Sequence, residues 1–339
     1  MQNLNNIGIL TQPLLNNYGG VLQNFALQVV LKKNGFFPCT MDWLPPKKPM
    51  YVYIRSWIKT VVLRILGRKR PFAKIQKKCV RKTYFDDFVQ EFIKTTSCSR
   101  DIASTFSNEF SAIIVGSDQV WRPEYNYNIK NMFLDFCQKK KHLKRISYAA
   151  SFGVDTWEYS PKQSEMCAAL AKKFDSISVR EKSGVKLCKE HLGVDATWVL
   201  DPTLLLTKED YLPICEKVPI CNERYLAVYA LDENEELTAA YESEAKAHGL
   251  KIKKFHADSK SVLSVPEWLA MFRDASFVVT DSFHGTVFSI IFEKNFKCVY
   301  NKDRGAARFE SLLNLYNSGK LDEMREFSLN WLKNALASS

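Results

Sequence analysis

The sequence predicts an α/β protein made of two doubly wound, Rossmann-like units that face one another across a cleft. Three observations carry this expectation. Short apolar runs rich in β-branched residues, such as IGILT and FVVT, are bounded by turn residues, as strands buried on both faces of a parallel sheet are. Segments with apolar residues at helical spacing separate these runs, so each strand leads into a crossover and not a hairpin. The alternation breaks once, between Leu206 and Arg224, and then resumes.

The first set opens with IGILT (Ile7 to Thr11), followed by a loop QPLLNNYGG and a helix from Val21 to Asn34 that stops at Gly35. SAIIVGSD (Ser111 to Asp118), RISYAAS (Arg145 to Ser151), SISVRE (Ser176 to Glu181) and TWVLD (Thr197 to Asp201) read as further strands, with a helix through His191 before the last. The stretch over 208–224, mixed in charge and carrying Pro213 and Pro219, reads as a linker. The second set runs YLAVYALD, a helix ending at Gly249, KIKKFHA, the helix VPEWLAMFRDA, FVVTD, the helix of Phe288, KCVYN and the helix RFESLLNLY. Right-handed crossovers make both sets doubly wound. The expected units are 1–207 and 225–320, with the helix of 321–339 packing back on the first.

At 339 residues, 46% hydrophobic and 25% charged, the chain has the composition of a soluble globular protein large enough for two cores. The start MQNLNNIGILTQ lacks a basic region followed by an apolar stretch, so a secretory signal is not expected. No uncharged apolar run reaches ~18 residues, the length a membrane-spanning helix needs. Nine scattered cysteines without a C-x-x-C pair read as reduced thiols of a cytoplasmic protein, and no structural metal is expected.

The net charge of +11 is local. Residues 47–82 hold 13 of the 48 Lys and Arg and no acid, which leaves 35 bases against 37 acids elsewhere. Within this segment Ile54, Trp57, Ile58, Val61, Val62 and Ile65 cover one side of a helical projection, and Arg55, Ser56, Lys59, Thr60 and Arg64 the other. Such a basic amphipathic helix either lies on an anionic membrane surface or packs on its own domain with the basic face solvated. Nucleic acid is not an expected partner, because no recognition module accompanies the charge.

The stretch TDSFHGTVFSIIF (Thr280 to Phe292) joins a buried strand to a helix whose apolar face is Val287, Phe288, Ile291 and Phe292. A turn of this kind lies at the carboxyl edge of a parallel sheet, where the N–H groups of the helix start attract anions. His284 is thereby placed to meet a ligand, and Ser282 and Gly285 at the helix start are expected to bind the same anionic ligand. Neither G-x-G-x-x-G nor a P-loop occurs, so the glycines are not a nucleotide signature.

NNYGGVLQNFAL (Asn16 to Leu27), VGSDQVW (Val115 to Trp121), SYAASFG (Ser147 to Gly153), SVRE (Ser178 to Glu181), LDPTLLL (Leu200 to Leu206) and TDSFHG occur in that order, and together the chain resembles the polysaccharide pyruvyl transferase family from about Ile7 to Leu315. The resemblance implies a fold similar to GT-B glycosyltransferases. It also implies transfer of a pyruvyl group from phosphoenolpyruvate to a sugar, as a cyclic ketal of a surface polysaccharide, with no metal or other cofactor.

Phosphoenolpyruvate brings a phosphate and a carboxylate, so its site needs converging cations and N–H donors. Arg180 matches the family's donor-binding arginine. His284 resembles the family's essential histidine, which several members carry in an R-x-H pattern. Here the triplet is Ser282, Phe283, His284, and Arg304 or Arg308 is expected to supply the missing charge. An imidazole there can protonate the donor methylene, accept a hydroxyl proton, or stabilise the departing phosphate. The first unit is expected to hold the acceptor, a lipid-linked sugar at the inner membrane face, through Asn17, Tyr18, Gln23, Gln119, Trp121 and Ser151. Asp118 is expected to act as base toward the sugar hydroxyl. Two other readings use the same features: a glycosyltransferase with a nucleotide-sugar donor, and a non-catalytic binding protein whose basic segment is the working part.

Overall fold

Every described strand runs parallel to its neighbours, as expected of short runs whose side chains are buried on both faces. The computed structural model describes residues 5–45, 50–65, 83–140, 142–256, 263–300 and 306–337. The first unit comprises β1 (Asn6–Leu10), α1 (Tyr18–Lys33), β2 (Phe37–Thr40), α2 (Met50–Ile65), α3 (Thr83–Phe92), β3 (Ala112–Val115), β4 (Lys144–Ala150), α4 (Pro161–Ala171), β5 (Ser176–Val179), α5 (Lys182–Leu187) and β6 (Thr197–Trp198). Its six described strands are ordered β2-β1-β3-β4-β5-β6, with Ile9 opposite Ile114 in register. Ala112, Ile113, Ile114 and Val115 are all buried, which accounts for an uninterrupted apolar run where a half-exposed strand would alternate.

The segment expected as a linker is structured. Thr207 caps α6 (Lys208–Tyr211), a short turn of helix follows over Leu212–Cys215, and Tyr211, Ile214 and Cys215 are buried in the main core. The second unit holds β7 (Tyr225–Ala230), α7 (Glu235–His248), β8 (Lys251–His256), α8 (Val265–Asp274), β9 (Phe277–Thr280), α9 (Phe283–Ile291), β10 (Asn295–Cys298) and α10 (Ala306–Asn317), with strand order β10-β9-β7-β8. Ser264, Pro266 and Glu267 form a capping box with proline in the first turn, so α8 starts where its sequence signals it. The final helix, α11 (Leu321–Ala337), lies against the first unit: Ser328 Oγ accepts from Leu200 N–H at 3.0 Å, and Trp331 packs on Tyr148 at 6.1 Å between ring centroids.

Several boundaries differ from the sequence reading; the strand expected over TWVLD, for one, is only Thr197–Trp198. The helix expected from Val21 begins at Tyr18, so Tyr18, Gly19 and Gly20 belong to its first turn and not to a loop. The last strand is Asn295–Cys298 where KCVYN was expected, because it pairs in register with Phe277–Thr280 two residues earlier. Among the described residues no helix is long and apolar enough to cross a membrane.

Candidate active site

In each sheet the strand order reverses once, between β1 and β3 in the first and between β7 and β9 in the second. Crevices open at the carboxyl ends of the strands at such points, because the flanking crossovers leave to opposite faces. The loops that converge there carry Gln12 to Asn17 after β1, Gly116 to Trp121 after β3, and Asp281 with Ser282 between β9 and α9. Asp281 braces its own switch point by accepting the backbone N–H of Leu231 and Asp232, at 2.7 and 2.8 Å.

The chemically loaded groups meet in one buried cluster. Arg180, directly after β5, has a side chain 1% exposed, and its Nη1 donates to Asp201 Oδ2 at 2.9 Å. Its Nη2 lies 3.6 Å from Asp118 Oδ1. Among the described residues neither Nη2 nor Nε has a hydrogen-bond acceptor. From the second unit, His284 points its Nε2 at the same Asp201 Oδ2 from 3.7 Å, an ion-pair distance too long for a hydrogen bond, and this nitrogen too is unpartnered. The His284 side chain keeps 11% of its surface exposed. Nε2 itself is buried, so the exposed part of the ring is not the nitrogen that faces Asp201.

Asp201 organises this cluster. Its Oδ2 also accepts from Ser117 Oγ at 3.3 Å, and its Oδ1 takes Thr203 N–H and Oγ1 at 3.0 and 2.7 Å. Burial alone would raise this carboxyl, but His284, Arg180 and Thr203 together hold it well below the usual carboxylate range. Burial likewise opposes the Arg180 charge, and the carboxylates of Asp201, Asp118 and Glu181 outweigh it and push the guanidinium upward. Glu181, the next residue, accepts from Phe152 N–H and Ser151 Oγ, and burial raises its carboxyl.

A second guanidinium reaches the cluster from α10. Arg308 lies over the Phe283 ring at 5.7 Å, and Arg180 over the same ring at 4.8 Å. Burial first, then the nearby charge of Arg180, bring Arg308 down to about 10, so both remain cationic at neutral pH. The two guanidinium groups share one aromatic ring beside the imidazole, with the carboxylates of Asp118, Asp201 and Glu181 around them. Arg308 is one of the two arginines expected to supply the charge absent from the Ser282, Phe283, His284 triplet; Arg304, the other, lies outside the described residues.

Asp118 connects this cluster to open space. It sits at φ 71°, in the left-handed region that few non-glycine residues adopt, and its carbonyl accepts from Val120 N–H at 2.7 Å and Ser151 N–H at 3.0 Å. These bonds hold its side chain between Arg180 and a cavity of about 350 Å³ lined by Gln12, Asn16, Asn17, Trp43, Pro45, Asp118, Gln119, Tyr125 and Tyr127. Tyr127 is 69% exposed, and Tyr125, 52% exposed, carries the Arg122 guanidinium over its ring at 4.7 Å. Trp43 donates its Nε1–H to Thr11 carbonyl at 2.8 Å and shares a neighbouring cavity of about 210 Å³ with Tyr127.

Several expected ligand residues turn out to brace the scaffold. Tyr18 is 2% exposed, stacked on Trp268 with its hydroxyl donated to Leu263 carbonyl at 2.7 Å, so its ring is closed to a sugar. Gln23, fully buried, donates to Thr11 Oγ1 and Gly20 carbonyl and accepts from Ser117 N–H. Trp121 is fully buried, stacked on Phe133 at 5.0 Å, with its indole N–H on Met132 carbonyl. Ser151 is spent on Glu181 and on Gly153 N–H. Ser282 caps α9 through Gly285 N–H, and a Cβ at Gly285 would come within 2.3 Å of Thr280 Oγ1, so these two residues shape the turn that aims His284. Asn17 and Gln119 do line the cavity, and Asp118, Arg180, His284 and Arg308 come together. Sequence reasoning missed Asp201, Trp43, Tyr125 and Tyr127; only Asp201 carried a signal, as the acidic strand end of LDPT.

Among the described residues no group of three or more His, Cys, Asp or Glu is placed to hold a metal ion. The chain is similar to UDP-GlcNAc 2-epimerase from Neisseria meningitidis bound to UDP-GlcNAc, with 9% identity, TM-score 0.45 and coverage of 98% of this chain and 97% of that one. It is similar to MnaA of S. aureus, with 10% identity, TM-score 0.45 and coverage of 96% and 91%, and to the wall teichoic acid polymerase TagF, with 9% identity, TM-score 0.42 and coverage of 98% and 83%. At these scores the likenesses carry no weight, and the fold class rests on the two parallel sheets themselves. No curated protein sequence matches the chain. The model of the polysaccharide pyruvyl transferase family matches residues 17–303, a range that takes in the first helix and the His284 turn, and the chain belongs to that family of enzymes.

Proposed function

We propose that the enzyme transfers the three-carbon unit of phosphoenolpyruvate to two hydroxyls of one sugar, closing a cyclic ketal during surface polysaccharide synthesis. The observation that carries this reading is the buried Arg180 guanidinium, whose Nε and Nη2 have no hydrogen-bond acceptor among the described residues, next to His284 Nε2, which has none either. Buried donors of this kind are costly unless a ligand accepts from them, and a donor with phosphate and carboxylate oxygens answers that need. Arg180 and Arg308 bind the anionic groups. His284, as imidazolium, delivers a proton to the methylene carbon, and C2 becomes an oxocarbenium-like electrophile.

Asp118 faces both the cation cluster and the 350 Å³ cavity, so it is the group that accepts a proton from an acceptor hydroxyl seated there. The two hydroxyls lose two protons: one ends on the new methyl carbon, the other on inorganic phosphate. Two C2–O bonds to the sugar form as the C2–O bond to phosphate breaks. Asn17, Gln119, Tyr125 and Tyr127 hold the sugar.

Thermal denaturation with phosphoenolpyruvate and with a panel of nucleotide sugars tests the donor, since only a ligand of the folded state raises the melting temperature. Stabilisation by phosphoenolpyruvate alone is expected, and it should vanish in Arg180→Ala. Incubation with donor and glycosides should then give a product heavier by one pyruvyl ketal, with stoichiometric phosphate. Stabilisation by a nucleotide sugar in place of phosphoenolpyruvate would overturn the reading.

A further inference from the structure

Helix α2 carries a surface that pyruvyl transfer does not use. Met50, Ile54, Ile58, Val61 and Val62 lie along one side of it, and they are 55, 46, 59, 46 and 49% exposed. Thr60 is fully buried and Ser56 and Trp57 are half-buried, so these residues mark the side turned to the protein. A helix kept only for packing on its own domain turns the aliphatic side inward and the polar side out. Here the five aliphatic side chains are left outside.

The chemistry around this ridge selects its partner. Arg55 and Arg64 are exposed on the same helix, and residues 47–82 contain 13 Lys or Arg without an acid. A nucleic acid would be drawn by the cations but would gain nothing from five exposed aliphatic side chains. A second copy would bring its own cationic segment against this one, which like-charge repulsion opposes. An anionic bilayer answers both features at once, with acyl chains for the ridge and headgroups for the bases. Position agrees: Pro45 lines the 350 Å³ cavity, and α2 starts five positions later in the sequence, at Met50.

We propose that α2 seats the enzyme on an anionic membrane surface, with its aliphatic ridge in the headgroup and acyl boundary beside the mouth of the acceptor cavity. This surface goes beyond the donor chemistry and stands or falls independently of it. The full-length protein should sediment with phosphatidylglycerol-containing vesicles, less so as salt is raised, and not with phosphatidylcholine alone. Ile54→Asp combined with Ile58→Asp should weaken binding at least about tenfold. The melting temperature and its response to phosphoenolpyruvate should stay unchanged. If that pair lowers the melting temperature, Val61→Asp with Val62→Asp repeats the measurement. Equal sedimentation of wild type and variants, or no preference for anionic vesicles, would overturn the proposal. So would a wild-type dimer that the substitutions turn into a monomer, since a second copy would then be the occupant.

Discussion

Asp201 Oδ2 lies 2.9 Å from Arg180 Nη1 in the first unit and 3.7 Å from His284 Nε2 in the second, so one oxygen sets the positions of the main cation and the imidazole. Asp201→Asn keeps the shape and removes the charge, leaving Arg180 less compensated in a buried place, which typically costs ~3–5 kcal/mol. The sign of the pH dependence follows from the lowered carboxyl. Its folded-state value lies below the ordinary 3.8, so its contribution is complete above that pH and lost as pH falls below it. Chemical denaturation from pH 7 down to pH 3 should show wild type losing stability in the acid limb, with a smaller acid loss in the asparagine variant. An unchanged acid limb would remove Asp201 from this role. At this scale His284, Arg180 and Asp118 were legible because polar residues at parallel strand ends are few and face a cleft. Trp121 and Ser151 follow strands in the same way, and Tyr18 and Gln23 lie in the helix after β1, yet their side chains turn inward to satisfy backbone groups, and a sequence does not show which way such a residue turns.

The first turn of α1 lies under the His284 ring, and this element contact explains a glycine that looked like loop. A Cβ on Gly19 would come within 2.0 Å of His284 Nδ1, whereas a Cβ on Gly20 would meet nothing closer than Asn17 at 3.4 Å. Gly19→Ala should therefore displace the imidazole and cut kcat by about 10²-fold, as misplacement by an ångström does. Gly20→Ala should leave kcat nearly intact and hold or raise stability by up to ~1 kcal/mol, the helix propensity gain of alanine. Steady-state kinetics and melting temperatures of the pair check this, and equal kcat in the two variants would contradict the contact. The sequence pattern showed that a helix follows β1 but not that it begins at Tyr18. The double glycine and the asparagines mimic turn composition, and the reason for one glycine is a ring 265 positions away in the other unit. In the same way α2 was legible as amphipathic, whereas the side it turns to the protein was not.

Alternating strands and helices made two α/β units readable from the chain, but not how firmly they are joined. Trp268 of the second unit stacks on Tyr18 of the first at 5.1 Å and packs edge-on against Tyr229 and Phe288 at 5.1 and 5.2 Å. Tyr211, from the segment between the units, touches Phe25 on one side and Phe288 on the other. These rings belong to one continuous buried cluster that draws on both sheets, and α11 returns to cover the first. Contacts between residues so distant in sequence leave no periodicity to read. Units joined by a polar linker rock about it, whereas a large apolar interface suppresses that motion. The two sheets are therefore expected to unfold together, in one calorimetric transition. Trp268→Ala, which opens a cavity at the junction, should lower the stability of the whole chain by ~3–5 kcal/mol while preserving that single transition. Two separated transitions in the wild type, or a substitution that melts the second unit and spares the first, would show that the interface does not couple them. A rigid junction also bears on the chemistry. Asp118 and Arg180 come from one unit, His284 and Arg308 from the other, and their distances are set by packing before any ligand arrives, the preorganisation that charge stabilisation in a transition state requires.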